Sequence, residues 1–282
     1  MTFTPPFRAD RWLVCATLIG CSWTLSLCEN TLAQVVPDQQ LKELFLPGES
    51  FQLGERTAFI MWPEPAKRQQ PQPWVMYAPT LPGYPDRHEQ WMHQKFLDAG
   101  IAVAGIDMGE AYGSPSGTDG LTTLYHHLVK ERQFAEKPVL LGRSRGGLWV
   151  SSWAISHPDK VAGIIAIYPV FDLTTYPGLE KAAPAYGFTP QVLSEQLSKW
   201  NPIARAEVLA QAKIPMAIIH GDVDTVVPLE QNSQTMANIY AKAGASPQMY
   251  LEVVSGQGHN HWQGFFRSQS LVDHAIRWAT GK

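Results

Sequence analysis

Downstream of residue 73, short apolar runs alternate with longer segments whose apolar residues recur every three or four positions. The runs are 74–78 (WVMYA), 101–107 (IAVAGID), 138–142 (PVLLG), 162–170 (AGIIAIYPV), 215–221 (PMAIIHG) and 248–254 (QMYLEVV). Each is short and rich in branched side chains, and each predicts a strand. Between them, 86–99, 121–134, 146–157, 230–243 and 271–278 predict helices; Trp91, Phe96 and Leu97 share one face of the first. Runs that are apolar on both faces suit parallel strands covered by helices on each side. Upstream, SFQL and TAFIMW flank a Gly54-Glu55-Arg56 turn and predict an antiparallel hairpin, after a polar lead-in over 34–50. The Pro/Gln-rich stretch 63–73 cannot sit inside a helix or a central strand, so it is a loop. Residues 171–212 break the rhythm with two or three predicted short helices and no strand. That is about 40 residues, too long for a plain connection, which makes the segment a candidate lid. The predicted class is α/β: a mostly parallel twisted sheet opened by an antiparallel hairpin, helices on both faces, and a small helical insert.

Composition narrows the function classes. The chain has 282 residues, with 22 Lys+Arg against 25 Asp+Glu and a net charge of −3. No basic surplus is available to neutralise phosphates, so nucleic acid is not an expected partner. Cys15, Cys21 and Cys28 all lie near the N-terminus, which excludes a disulfide scaffold in the body of the chain. Arg8 and Arg11 precede the apolar stretch 12–27, and Thr31 and Ala33 supply small residues before Gln34. This pattern predicts a signal peptide over 1–33 and an exported protein, whose residues 34–282 make one domain. Two alternatives stay open: lipidation of Cys21 within Leu18-Ile19-Gly20-Cys21, which would tether the protein to a membrane, and an uncleaved anchor.

The chemistry gathers at three strand ends. Gly142-Arg143-Ser144-Arg145-Gly146 matches G-x-S-x-G between a predicted strand and a predicted helix. A sharp turn there would lift the Ser144 hydroxyl clear of the sheet, with Gly142 and Gly146 needed for close approach. The helix N-terminus beneath it favours a developing negative charge. A nucleophilic serine needs a base, and the base needs an orienting acid. His220-Gly221-Asp222-Val223-Asp224 closes one later strand, and Gly256-Gln257-Gly258-His259 follows the last.

With Ser144, Asp224 and His259 in that order, the chain resembles an α/β-hydrolase from about Phe51 to Trp278. GRSRGG (142–147), HGDVDTVVP (220–228), GQGH (256–259) and IDMGEAYGSPSG (106–117) carry the resemblance. It implies Ser144 as nucleophile, His259 as base and Asp224 as acid, with Asp222 and His261 as alternatives, local packing for His220, and a structural role for 106–117. The Arg145 amide would be one oxyanion donor and Leu81 or Thr80 the other, because Pro79 and Pro82 have no N–H. Arg143 and Arg145 are expected in structural ion pairs, with contact to an acidic substrate group as the alternative for Arg145. Trp200 and Trp262, like the other tryptophans of the body, are expected chiefly as core residues, with the lining of an acyl or sugar pocket as the alternative.

No metal-ligand spacing, G-x-G-x-x-G or P-loop occurs, so no cofactor or metal is expected. The expectation is an exported serine hydrolase acting on small or carbohydrate-linked carboxylic esters. A prolyl-oligopeptidase-like peptidase is the alternative, disfavoured by a length with no room for a propeller gate. A non-catalytic binding protein on the same scaffold is the other.

Overall fold

A computed structural model describes residues 41–281. The predicted leader, with Cys21 and the junction at Gln34, lies outside the described residues. Eight strands form one sheet: β1 (Gly48–Leu53), β2 (Arg56–Met61), β3 (Trp74–Tyr77), β4 (Ala102–Ile106), β5 (Val139–Arg143), β6 (Gly163–Ile167), β7 (Met216–Gly221) and β8 (Met249–Val254), in the order β1-β2-β4-β3-β5-β6-β7-β8. The β1–β2 and β2–β4 pairs are antiparallel and all later pairs are parallel. Strands β3 to β7 are buried along their whole length, which is why their sequences are continuously apolar rather than alternating.

The pleat sends alternate residues to two core layers. Leu140 points into one with α2 (Pro115–His126) and α3 (Gly146–Ser156), where Leu121, Leu124, Trp149 and Trp153 pack. Leu141 points into the other with α1 (Gln90–Asp98), through Met92, Phe96 and Leu97. The same layer receives Leu271, Val272 and Ala275 from the C-terminal helix Gln269–Thr280. That helix starts where the Ser268 hydroxyl accepts from Leu271 N at 3.3 Å. Among the described residues, no helix is long and apolar enough to cross a membrane.

Element boundaries differ from the sequence expectation in three places. The first helix begins at Gln90, not at residue 86, and Asp86 and Glu89 turn inward to an arginine described below. The second begins at Pro115, six residues early: proline suits a first helical turn, and Gly117 lets the helix lie against Ala111. The insert is more fragmented than expected, with α4 (Leu179–Ala182), α5 (Pro190–Glu195), α6 (Leu197–Trp200), α7 (Pro202–Arg205) and α8 (Glu207–Gln211). Pro190 and Pro202 each open a new helix because neither can continue the previous one. Ala182, Leu193 and Leu209 of the insert are buried in the first core layer. Asn201 and Asn232 tie its start to the body by accepting from Phe171, Asp172 and Leu173 amides at 2.8–3.1 Å.

Candidate active site

The G-x-S-x-G turn connects β5 to α3, as its sequence context requires. Ser144 has φ +51°, a conformation rare for residues with a Cβ. Backbone bonds fix it: its N–H donates to Ile167 O at 2.9 Å, and its carbonyl accepts from Gly147 N at 2.9 Å and Val170 N at 2.8 Å. The expectation for Gly146 is corrected. A Cβ there would make ordinary contact, 3.4 Å from Ala78 O, whereas Gly147 has no room, with Pro169 Cβ and Val170 O at 2.6 Å. Gly142 is as tight as predicted, 2.8 Å from Val150 Cγ2. The close helix–strand approach falls one residue further into α3.

Asp224 follows β7. Its Oδ1 accepts from Val226 N at 2.9 Å and Val227 N at 2.8 Å, and its Oδ2 lies 2.7 Å from His259 Nδ1. Burial opposes its charge, but hydrogen bonds from His220, His259 and the Val227 amide outweigh burial and hold the carboxyl well below the usual carboxylate range. His220 Nε2 is 2.9 Å from Val227 O and 3.4 Å from Asp224 Oδ2, while its Nδ1 meets Ser233 Oγ at 2.7 Å. It therefore serves chiefly to shape the turn that carries Asp224.

His259 arrives on the loop after β8, past Gly256 at φ +73°. Its Nε2 lies 2.9 Å from Ser144 Oγ. With Asp224 ionised, Nδ1–H donates to the carboxylate, leaving Nε2 free to accept a hydrogen bond from the serine hydroxyl. The fold thus joins Ser144, His259 and Asp224 in one hydrogen-bonded chain from three separate loops. Asp222 stands outside it, exposed, accepting from Gly256 N at 2.6 Å. His261 also stands outside, stacked on His88 with ring centroids 4.4 Å apart.

A crevice of about 190 Å³ opens over Ser144. Thr80 and Arg145 line it, whereas Leu81 does not, and the Leu81 carbonyl accepts from Tyr84 N at 2.9 Å. Neither Trp200 nor Trp262 lines this crevice. Trp200 packs against Tyr186 and Phe188 within the insert, and Trp262 is largely exposed with its ring edge on Phe265. The aromatic walls are instead Tyr84, Tyr168 and Tyr176. Sequence reasoning passed over all three; the available signal was their place in loops that leave β3 and β6 beside prolines.

Both arginines flanking Ser144 are paired, and the sequence could not name their partners. Arg145 Nη1 binds Glu110 Oε1 at 2.6 Å. Arg143 is buried; its Nη1 reaches Asp86 Oδ2 at 2.9 Å and Glu89 Oε2 at 3.2 Å, and its Nε donates to Tyr168 Oη at 3.3 Å. Burial raises the Asp86 carboxyl, but its bonds and charge contact with Arg143 bring it below its usual value. Glu89 is fully buried and pushed up to about 7, because desolvation and the charge of Asp86 exceed the pull of Arg143. In the 106–117 loop, Asp107 pairs with Lys42 at 3.0 Å, and Gly113 at φ +73° has room for no Cβ, which lends that loop its structural character.

Among the described residues, Asp86, His88 and His261 offer metal-ligand atoms within 4.8 Å of one another. Asp86 already holds Arg143, whose positive charge opposes a cation at that point.

The model of the prolyl oligopeptidase family matches residues 117–281, a span containing Ser144, Asp224 and His259. No curated protein matches the chain in sequence. Among solved structures, Est1E from Butyrivibrio proteoclasticus is 16% identical with a TM-score of 0.62, covering 83% of this chain and 99% of its own. Porphyromonas gingivalis dipeptidyl peptidase 4 is 15% identical with a TM-score of 0.62, covering 82% of this chain. Pyrococcus horikoshii acylaminoacyl peptidase is 18% identical with a TM-score of 0.59, covering 83%. This chain spans 35% and 39% of the length of those two peptidases.

Proposed function

Since this chain belongs to the prolyl oligopeptidase family and is a serine hydrolase, we propose that it cleaves carboxylic esters of small or carbohydrate-borne acyl groups. The observation that carries the proposal is the hydrogen-bonded run from Ser144 Oγ through His259 to Asp224, opening onto a crevice of about 190 Å³. Ser144 Oγ attacks the ester carbonyl carbon as its proton passes to His259 Nε2. Asp224 keeps the imidazole in the accepting tautomer and stabilises the imidazolium that forms. The tetrahedral oxyanion takes hydrogen bonds from the Arg145 amide at the start of α3 and from the Thr80 amide, chosen over Leu81 because only Thr80 lines the crevice. His259 then protonates the departing alkoxide, and the acyl-enzyme is hydrolysed by a water that His259 deprotonates.

The ester reading leans on a likeness to Est1E that covers 99% of that protein, a chain of about this one's length. A peptidase is the second reading, favoured by the peptidases among the structural neighbours. Rates on nitrophenyl esters of increasing chain length, set beside a prolyl-peptide amide, separate the two. Short esters should be cleaved fastest, and faster cleavage of the amide overturns the ester reading. A fluorophosphonate probe should label wild type and fail on Ser144→Ala; labelling of the variant would remove Ser144 from its role. Export belongs to the same proposal and rests on the sequence of residues 1–33 alone. Mass spectrometry of the cell-derived N-terminus should find Gln34, and a lipidated Cys21 would replace export in solution by a tether.

A further inference from the structure

We infer that Tyr168 is a positioning residue for His259, locked in place by Arg143, and that this brace holds the imidazole in register with Ser144. The inference rests on the reading of Ser144 and His259 as nucleophile and base.

His259 needs such a support. It sits on a loop bordered by Gly256 and Gly258, and glycines leave the backbone free to move. Asp224 and Ser144 meet the two ring nitrogens at 2.7 and 2.9 Å, but hydrogen bonds at the ring edge leave the two faces of the imidazole unsupported. The Tyr168 ring closes one face of the imidazole, with centroids 4.3 Å apart and planes tilted by 55°.

Tyr168 is itself held at its backbone, its ring and its hydroxyl. Its backbone has φ +33°, which side chains with a Cβ rarely adopt and which persists only where surroundings enforce it. Its N–H donates to Ile219 O of β7 at 2.8 Å. Its ring meets Phe265 edge-on at 5.0 Å. Its hydroxyl accepts from Arg143 Nε at 3.3 Å. Arg143 in turn has its Nη1 on Asp86 and Glu89 and its guanidinium over Tyr84 and Phe266, at 4.7 and 4.8 Å from the ring centroids. Arg143 is also the residue directly before Ser144. One buried arginine therefore references the nucleophile turn and the wall behind the base to a single rigid frame, which is what near-attack geometry demands.

Tyr168→Phe keeps the wall and removes the lock, while Tyr168→Leu removes both. With a nitrophenyl acetate substrate, Tyr168→Phe should lower kcat about tenfold with KM within about twofold, since misplacement of a catalytic group acts on the chemical step. Tyr168→Leu should lower kcat further. The low-field proton resonance between His259 Nδ1 and Asp224, assigned by its loss in His259→Ala, should broaden by exchange in Tyr168→Phe while the thermal unfolding midpoint stays above the assay temperature. A merely structural tyrosine would lower the midpoint and leave both kcat and the resonance of the folded enzyme unchanged; that result overturns the inference. If Tyr168→Leu does not fold, Tyr168→Phe decides alone. Wild type that resists the fluorophosphonate probe would defeat the underlying catalytic reading, whereas labelled wild type with an unaltered Tyr168→Phe defeats only the brace.

Discussion

Replacing Glu89 by glutamine should abolish a loss of stability that wild type suffers as pH rises toward neutrality. The Glu89 Oε2 accepts from Tyr77 Oη at 3.0 Å, Asp86 N at 3.1 Å and Arg143 Nη1 at 3.2 Å, while Oε1 is buried without a partner. Desolvation is the main reason its pKa stands at about 7 instead of 4.5. A carboxyl raised in this way contributes stability that is fully present below its unfolded value and lost as pH rises through its folded value. The interval from 4.5 to about 7 corresponds to about 3 kcal/mol, at about 1.4 kcal/mol per pH unit. Between pH 5 and pH 8 the loss should be about 2–3 kcal/mol, since the titration has begun by pH 5. Glutamine can place its carbonyl oxygen where Oε2 accepts, it does not ionise, and Asp86 still pairs with Arg143. Any cost of its buried NH₂ group is the same at every pH. Urea unfolding of both proteins at pH 5, 6, 7 and 8 tests this, because the difference between the two curves cancels every group that does not interact with position 89. The difference should move toward the variant by that 2–3 kcal/mol. A difference flat to within about 0.5 kcal/mol over this range would refute the reasoning, since Glu89 would then not titrate there.

Three further outcomes follow from particular contacts. Asp224→Asn should lower kcat on a nitrophenyl ester by about 10³–10⁴-fold by favouring the wrong His259 tautomer, while Asp222→Ala should stay within a few fold; equal losses would undo the choice between these aspartates. Gly142→Ala should destabilise the fold by about 2–4 kcal/mol in urea unfolding, because its Cβ meets Val150 Cγ2 at 2.8 Å and the Gly146 backbone at 2.9 Å; an unchanged midpoint would mean the turn yields without strain. His93 is buried among Phe45, Tyr77 and Phe96 with both ring nitrogens unpartnered, and desolvation lowers its pKa to about 3. A histidine lowered in this way costs stability as pH falls from 6.5 toward 3, so His93→Phe should shrink the drop in melting temperature between pH 7 and pH 5, and an undiminished drop would contradict the assignment.

The strands were legible in the sequence because β3 to β7 are buried on both faces, which forces uninterrupted apolar runs. The turn at Ser144 was legible because a strand-to-helix elbow places fixed demands on glycine spacing, although the second tight position proved to be Gly147 rather than Gly146. The crevice walls were not legible. Tyr84, Tyr168 and Tyr176 come from loops of different lengths, and no periodicity relates them. Trp200 and Trp262 were the aromatic candidates in the sequence, yet Trp200 packs onto Tyr186 within the insert and Trp262 is exposed.

Local pattern by itself determined the α/β class, the positions of the strands and the residues standing at their ends, because strand and helix periodicities are set by neighbouring residues along the chain. Only the tertiary structure decided which charges meet. Arg143 pairs with Asp86 and Glu89 more than fifty residues away and donates to Tyr168 twenty-five residues on. Such contacts depend on how the sheet is ordered and where its loops converge, and burial rather than sequence spacing makes them strong enough to matter.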